Sequence, residues 1–121
     1  MSIAFACVLV AGLLPYLGAV IAKAGAKFDN RNPRDWLSRQ EGYRRRANAA
    51  QANGFEAFPL FAAAVVIAAI RQLPQHHVDL LAMGFIAARV LHLAFYLADR
   101  AALRSLAWVA GLACVIGIFA G

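Results

Sequence analysis

The sequence predicts an all-α integral membrane protein, a four-helix bundle of up-down topology. Three observations carry that expectation. Of 121 residues, 63% are hydrophobic and only 15% are charged, whereas soluble domains carry about 25% charge. The apolar residues fall into four runs close to the roughly 20 residues that cross a bilayer. No alternating pattern competes, and in lipid a helix satisfies its own backbone. At this length the chain is one domain, residues 1–121, and its composition excludes disorder, collagen, a coiled coil and a disulfide scaffold. Cys7 and Cys114 stand alone in apolar runs without CxxC spacing and do not fix a redox compartment.

The first span, about 1–23, is uncharged from Met1 to Ala22. It lacks a positive leading segment and its apolar run is too long for a signal peptide, so it reads as a retained helix. The second span, about 46–71, is apolar from Ala57 to Ile70; its earlier half carries Asn53 and Glu56. The third, about 77–98, is apolar apart from Asp79, Arg89 and His92. The fourth, about 102–120, is apolar from Leu106 onward. Alanine and glycine recur in all four and permit close helix approach.

The connections differ. Gly25 to Gly42 is the only long polar segment, with a turn signal at Asn30-Arg-Asn-Pro33 and an interfacial Trp36. The second connection centres on Pro74, and the third on Asp99 to Ala102. Of twelve basic residues, eight lie between the first two spans and two more, Arg100 and Arg104, flank the third connection. The positive-inside rule puts loops 23–46 and 99–104 in the cytoplasm and both termini outside, as expected of a multi-pass protein of the cell (inner) membrane. The excess positive charge then faces anionic lipid head groups. Nucleic acid is not an expected partner, because no aromatic platform accompanies the basic residues. His76, His77 and Asp79 lack a further ligand, so no metal is expected.

Charge inside a span is costly and demands an explanation. Asn53 and Glu56 are three apart, and Arg89, His92 and Tyr96 are spaced i, i+3 and i+7, so each set shares a helix face. Glu56 lies 18 residues before Pro74 and His92 lies 18 after it, about 27 Å from the turn in each helix. In an antiparallel hairpin the two sets face each other, with Arg104 and Ser105 just beyond. Such a pocket offers guanidinium groups for carboxylates and a carboxylate for an ammonium group, the complement of a small zwitterionic peptide. An arginine beside a thiol also favours the thiolate. The plainer alternative is a structural Glu56–Arg89 ion pair that fixes the hairpin, with Arg100 and Arg104 as interfacial anchors.

Two blocks resemble a known family. Arg46-Ala-Asn-Ala-Ala-Gln-Ala-Asn53-Gly-Phe-Glu56-Ala-Phe-Pro59 resembles the signature of the MAPEG family, membrane-associated proteins in eicosanoid and glutathione metabolism. Ala88-Arg89-Val-Leu-His92-Leu-Ala-Phe-Tyr96-Leu, followed by Arg100-Ala-Ala-Leu-Arg104-Ser105, is similar to its prostaglandin synthase branch, as is Asn32-Pro33-Arg34-Asp35. The chain reads as a prokaryotic-type member. The resemblance implies a homotrimer with glutathione, a cosubstrate, bound between subunits near the cytoplasmic face. By position, Asn53 and Glu56 contact its backbone and amino group, and Arg89 and Tyr96 hold its carboxylate end. Arg104 stabilises the thiolate, Ser105 donates a hydroxyl, Arg100 lines the mouth, and His92 is a pocket residue. Gln51, Ala52 and Ala49 replace a histidine, a basic residue and an arginine of the family pattern, leaving Arg44 to Arg46 as a source of the missing charge. Trp108 stands where the synthase has a tyrosine.

The leading expectation is therefore a membrane-embedded glutathione transferase-like enzyme, of transferase, peroxidase or isomerase type, acting on a lipophilic electrophile. The alternative within the family is a non-catalytic scaffold or lipid-binding protein. A transporter using Glu56, Arg89 and His92 is a third reading, opposed by the absence of a broken-helix repeat.

Overall fold

A computed structural model describes residues 1–121. It is all helical: α1 is Ile3–Lys23, α2 Pro33–Ser38, α3 Gly42–Ile70, α4 Gln75–Leu97 and α5 Ala101–Ala120. The four long helices are long and apolar enough to cross a membrane, and they run alternately up and down. The protein is an integral multi-pass membrane protein. Its surface is apolar where it meets lipid, with Leu13, Leu17, Val20, Ile70, Leu106 and Ile116 all exposed.

Helices in lipid gain little from the hydrophobic effect when they associate, so close packing and polar contacts must hold them. The buried face of α1 consists of Ala4, Cys7, Ala11, Pro15, Gly18 and Ala22, small residues or proline at steps of three and four. This face lets α3 come close. A Cβ on Gly54 would lie 2.7 Å from Pro15 Cγ, and one on Gly18 would lie 3.0 Å from the Ala47 carbonyl oxygen. Larger side chains fill the space among α3, α4 and α5. Phe61 stacks on Phe85 with ring centroids 4.0 Å apart, and Val65, Ala82, Val115 and Ile118 close the layer.

The helix ends are tied by charge. Arg44 Nη1 donates to the carbonyls of Ala22 and Ala24 at the end of α1, at 3.0 and 2.7 Å. Arg46 donates to Leu97 O at the end of α4, from Nε at 3.4 Å and Nη2 at 3.1 Å. Arg71 donates to the carbonyls of Phe119 and Gly121 at the end of α5, at 3.1 and 3.2 Å. All three arginines belong to α3 or its C-cap, and each meets the negative end of a neighbouring helix dipole. At the Pro74 end, Asp79 Oδ1 accepts the Ala4 N–H at 2.9 Å and a Gln75 amide N–H at 2.6 Å. That places a carboxylate at the positive end of α1.

The first connection differs from a plain polar loop. Pro33 starts α2, a position proline favours because its missing N–H would be unpaired there. Leu37 of α2 is buried with Ala22 and Ala47, and Trp36 and Leu97 pack against them. Helix α3 also starts at Gly42 and so takes in Arg44 to Arg46. The guanidinium groups of Arg44 and Arg46 therefore hold helix carbonyls. Two turns close with left-handed residues, Gln72 (φ 56°) and Asp99 (φ 59°). Around Asp99, Arg100 N–H bonds Phe95 O and Asp99 N–H bonds Tyr96 O, the Schellman pattern.

Replacing Gly54 with valine tests the α1–α3 approach. Overpacking costs about 1–3 kcal/mol, so Gly54→Val is expected to lower the thermal unfolding midpoint in detergent, while Ala63→Val on the exposed face of α3 leaves it near wild type.

Candidate functional site

A groove runs along the outside of the bundle between α3 and α5, with α4 as its floor. Its two halves meet at Asn53 and Trp108, which line both. The half nearer the α4–α5 turn is polar and open, with His92, Tyr96, Arg104 and Ser105. The half nearer the Pro74 end carries Glu56 and Arg89 beside Ala57, Leu60, Phe85, Leu112 and Val115.

Helix periodicity builds this arrangement. Arg89, His92 and Tyr96 lie along one stripe of α4, and Arg104, Ser105 and Trp108 lie on the first turns of α5 beside it. Arg89 and His92 are buried, at 6% and 3% exposure. Arg89 Nη2 donates to Asn53 Oδ1 at 2.7 Å, which joins α4 to α3 inside the bundle. No carboxylate lies within 4.0 Å of Arg89; the only ion pair in the chain is Asp35–Arg39 on α2. The Glu56–Arg89 pair does not form. Glu56 stands exposed on the groove's rim, and the carboxamide of Asn53 takes the place facing Arg89.

Tyr96 links the polar half. Its ring meets His92 edge to face at 5.5 Å between centroids. The Arg104 guanidinium lies over the same ring at 4.5 Å from its centroid. A guanidinium over an aromatic face is held by the ring quadrupole and keeps its N–H groups free for an anion. Behind the floor lies a narrow cleft between α1, α3 and α4, which Arg89, His92 and Gln51 also line.

The geometry thus brings together Asn53, Glu56, Arg89, His92, Tyr96, Arg104 and Ser105. Arg100 is not among them. It is exposed and precedes α5, where its carbonyl accepts the Arg104 N–H at 2.9 Å. Trp108 is the lining residue that charge and motif spacing underweighted. Its signal was its position four residues after Arg104 and three after Ser105, which keeps it on their face.

Chemically, the groove presents two guanidinium groups, a hydroxyl pair, an amide and one exposed carboxylate. It changes along its length from polar to apolar. No cluster of three metal-ligating side chains occurs in the chain. The sequence model of the MAPEG family matches residues 3–121, nearly the whole chain. No curated protein and no solved structure matches it.

Removing the Asn53 carboxamide leaves the buried Arg89 guanidinium without a side-chain acceptor. A hydrogen bond to a charged group contributes about 1.5–3 kcal/mol. Asn53→Ala is therefore expected to lower the unfolding midpoint measured in detergent, whereas Glu56→Ala, which deletes no hydrogen bond, leaves it nearly unchanged.

Proposed function

The chain belongs to the MAPEG family, and from that premise we propose that it is a membrane-embedded, glutathione-dependent enzyme acting on a lipophilic electrophile. One observation carries the reading. Arg89 is a buried guanidinium in a membrane bundle with no carboxylate partner, facing a groove open to a ligand. A buried charge without a counter-ion is costly, and an anionic ligand offsets that cost when it binds.

Glutathione fits the donor set. Its carboxylate end is held by Arg89 and Tyr96, and its amino group meets Glu56. Asn53 contacts its backbone while orienting Arg89. Arg104 stabilises the thiolate, and Ser105 donates a hydrogen bond to the sulfur. His92 supports the Tyr96 ring, and Arg100 lies outside the groove at its mouth. The thiolate sulfur then attacks the electrophilic atom at the polar end of a substrate, near Arg104 and Trp108, whose lipophilic body extends into the apolar half beside Leu60, Leu112 and Val115. A lipophilic substrate reaches that half sideways from the bilayer.

The arginine-rich end faces the cytoplasm in this reading, with both termini on the other side of the cell membrane. The working unit is a homotrimer, in which a neighbouring subunit closes the open side of the groove and glutathione sits between them. The protein forms one domain with its four spans in the four long helices.

Glutathione titrated calorimetrically into the purified protein is expected to give saturable binding that Arg89→Ala abolishes. Arg104→Ala is expected to retain most binding and to lose at least about 100-fold in turnover, as when one transition-state charge donor is removed. Folded wild-type protein that binds no glutathione would contradict the proposal and favour a scaffold role.

A further inference from the structure

The polar half of the groove has a structural weak point. Arg104 and Ser105 sit at the start of α5, yet no hydrogen bond joins this end of α5 to α3, the opposite wall. Within the groove, the contact that holds Arg104 is the stacking on Tyr96. The distance between Asn53 on one wall and Arg104 and Ser105 on the other must therefore be set from outside the groove.

Arg46 is the group placed to set it. It lies two turns before Asn53 on α3, and its guanidinium bonds the Leu97 carbonyl twice. Leu97 is the last residue of α4, and α5 begins four residues later. No backbone N–H bonds the Leu97 carbonyl, because the turn's own N–H groups go to Ala94, Tyr96 and Phe95. The same residue is gripped by its side chain, which packs against Ala22, Leu37 and Ala47. Hydrogen bonding thus fastens the α4–α5 turn to α3 at Leu97. The segment Ala98–Arg100 that follows is short and closed by the left-handed Asp99. Holding Leu97 therefore fixes where α5 starts.

We propose that Arg46 is a positioning residue: by clamping Leu97 to α3, it sets the width of the polar half of the groove and so the affinity for the thiol ligand. This rests on the glutathione reading above, but its structural part stands without it. Arg44 and Arg71, the C-cap of α3, hold the ends of α1 and α5 instead, so Arg44 serves as a control.

Hydrogen exchange read by mass spectrometry, on the full-length protein in detergent, tests the clamp without any ligand. Arg46→Ala is expected to speed exchange across residues 98–105 and to leave the Pro74 end unchanged. Arg44→Ala is expected to speed exchange near residues 22–26 instead. In parallel, Arg46→Ala is expected to raise the KM for glutathione about tenfold, a loss of about 1.4 kcal/mol in binding, with a much smaller change in kcat. Arg46→Lys keeps one donor for the carbonyl and should recover part of both effects; it also serves if the alanine variant fails to fold. Unchanged exchange at 98–105 would overturn the clamp. Faster exchange with unchanged KM would overturn the link to the ligand. If the wild type binds no glutathione, the reading of the groove fails and the exchange result alone decides whether Arg46 sets the end of α5.

Discussion

The structure depends on how a helix bundle in lipid accommodates the Arg89 guanidinium. It sits in the middle of α4, nearly inaccessible, in a setting where a lone charge is costly. The bundle meets it with one carboxamide from α3 rather than with a carboxylate. That choice leaves net positive charge inside the protein and directs it at a groove. A Glu56–Arg89 pair would have neutralised the site. Glu56 at the rim and Arg89 in the floor instead leave opposite charges apart, available to the two ends of a zwitterion.

The remaining polar groups do structural work at the helix ends. Arg44, Arg46 and Arg71 reach from α3 to the C-termini of α1, α4 and α5, while Asp79 meets the N-terminus of α1. Every one of these contacts has the sign a helix dipole favours. Between the ends, small residues bring α1 against α3, and aromatic stacking fills the space between α3 and α4. Helix α3 is thus the organising element: it supplies three of the end clamps, one wall of the groove and the partner of Arg89.

Much of this was legible in the sequence because lipid imposes simple rules. Span length and the lack of charge marked the four helices, and small integer spacings put Arg89, His92 and Tyr96 on one stripe. Counting residues from Pro74 set His92 level with Glu56 and so brought that stripe opposite the face carrying Asn53 and Glu56. What was not legible depended on contacts between helices. Asn53 and Glu56 share a broad face, but at about 100° per residue they point some 60° apart. Only the approach of α4 decides that Asn53 faces inward and Glu56 lies on the rim. Likewise, nothing local in Arg44 or Arg46 says which helix end it will meet, and a count of basic residues reads them as topology alone. Pro33 carried both a turn signal and a helix-start signal, and burial of Leu37 settled which applied.

The central claim is that the groove's two arginines bind a peptide thiol and hold it as the thiolate. Ultraviolet difference spectroscopy tests it most directly, with glutathione titrated into the protein at a pH where the free thiol is protonated. The account predicts a thiolate absorption band that rises saturably with glutathione and is lost in Arg104→Ala. Glutathione that binds without producing the band, or a band that persists unchanged in Arg104→Ala, would contradict it.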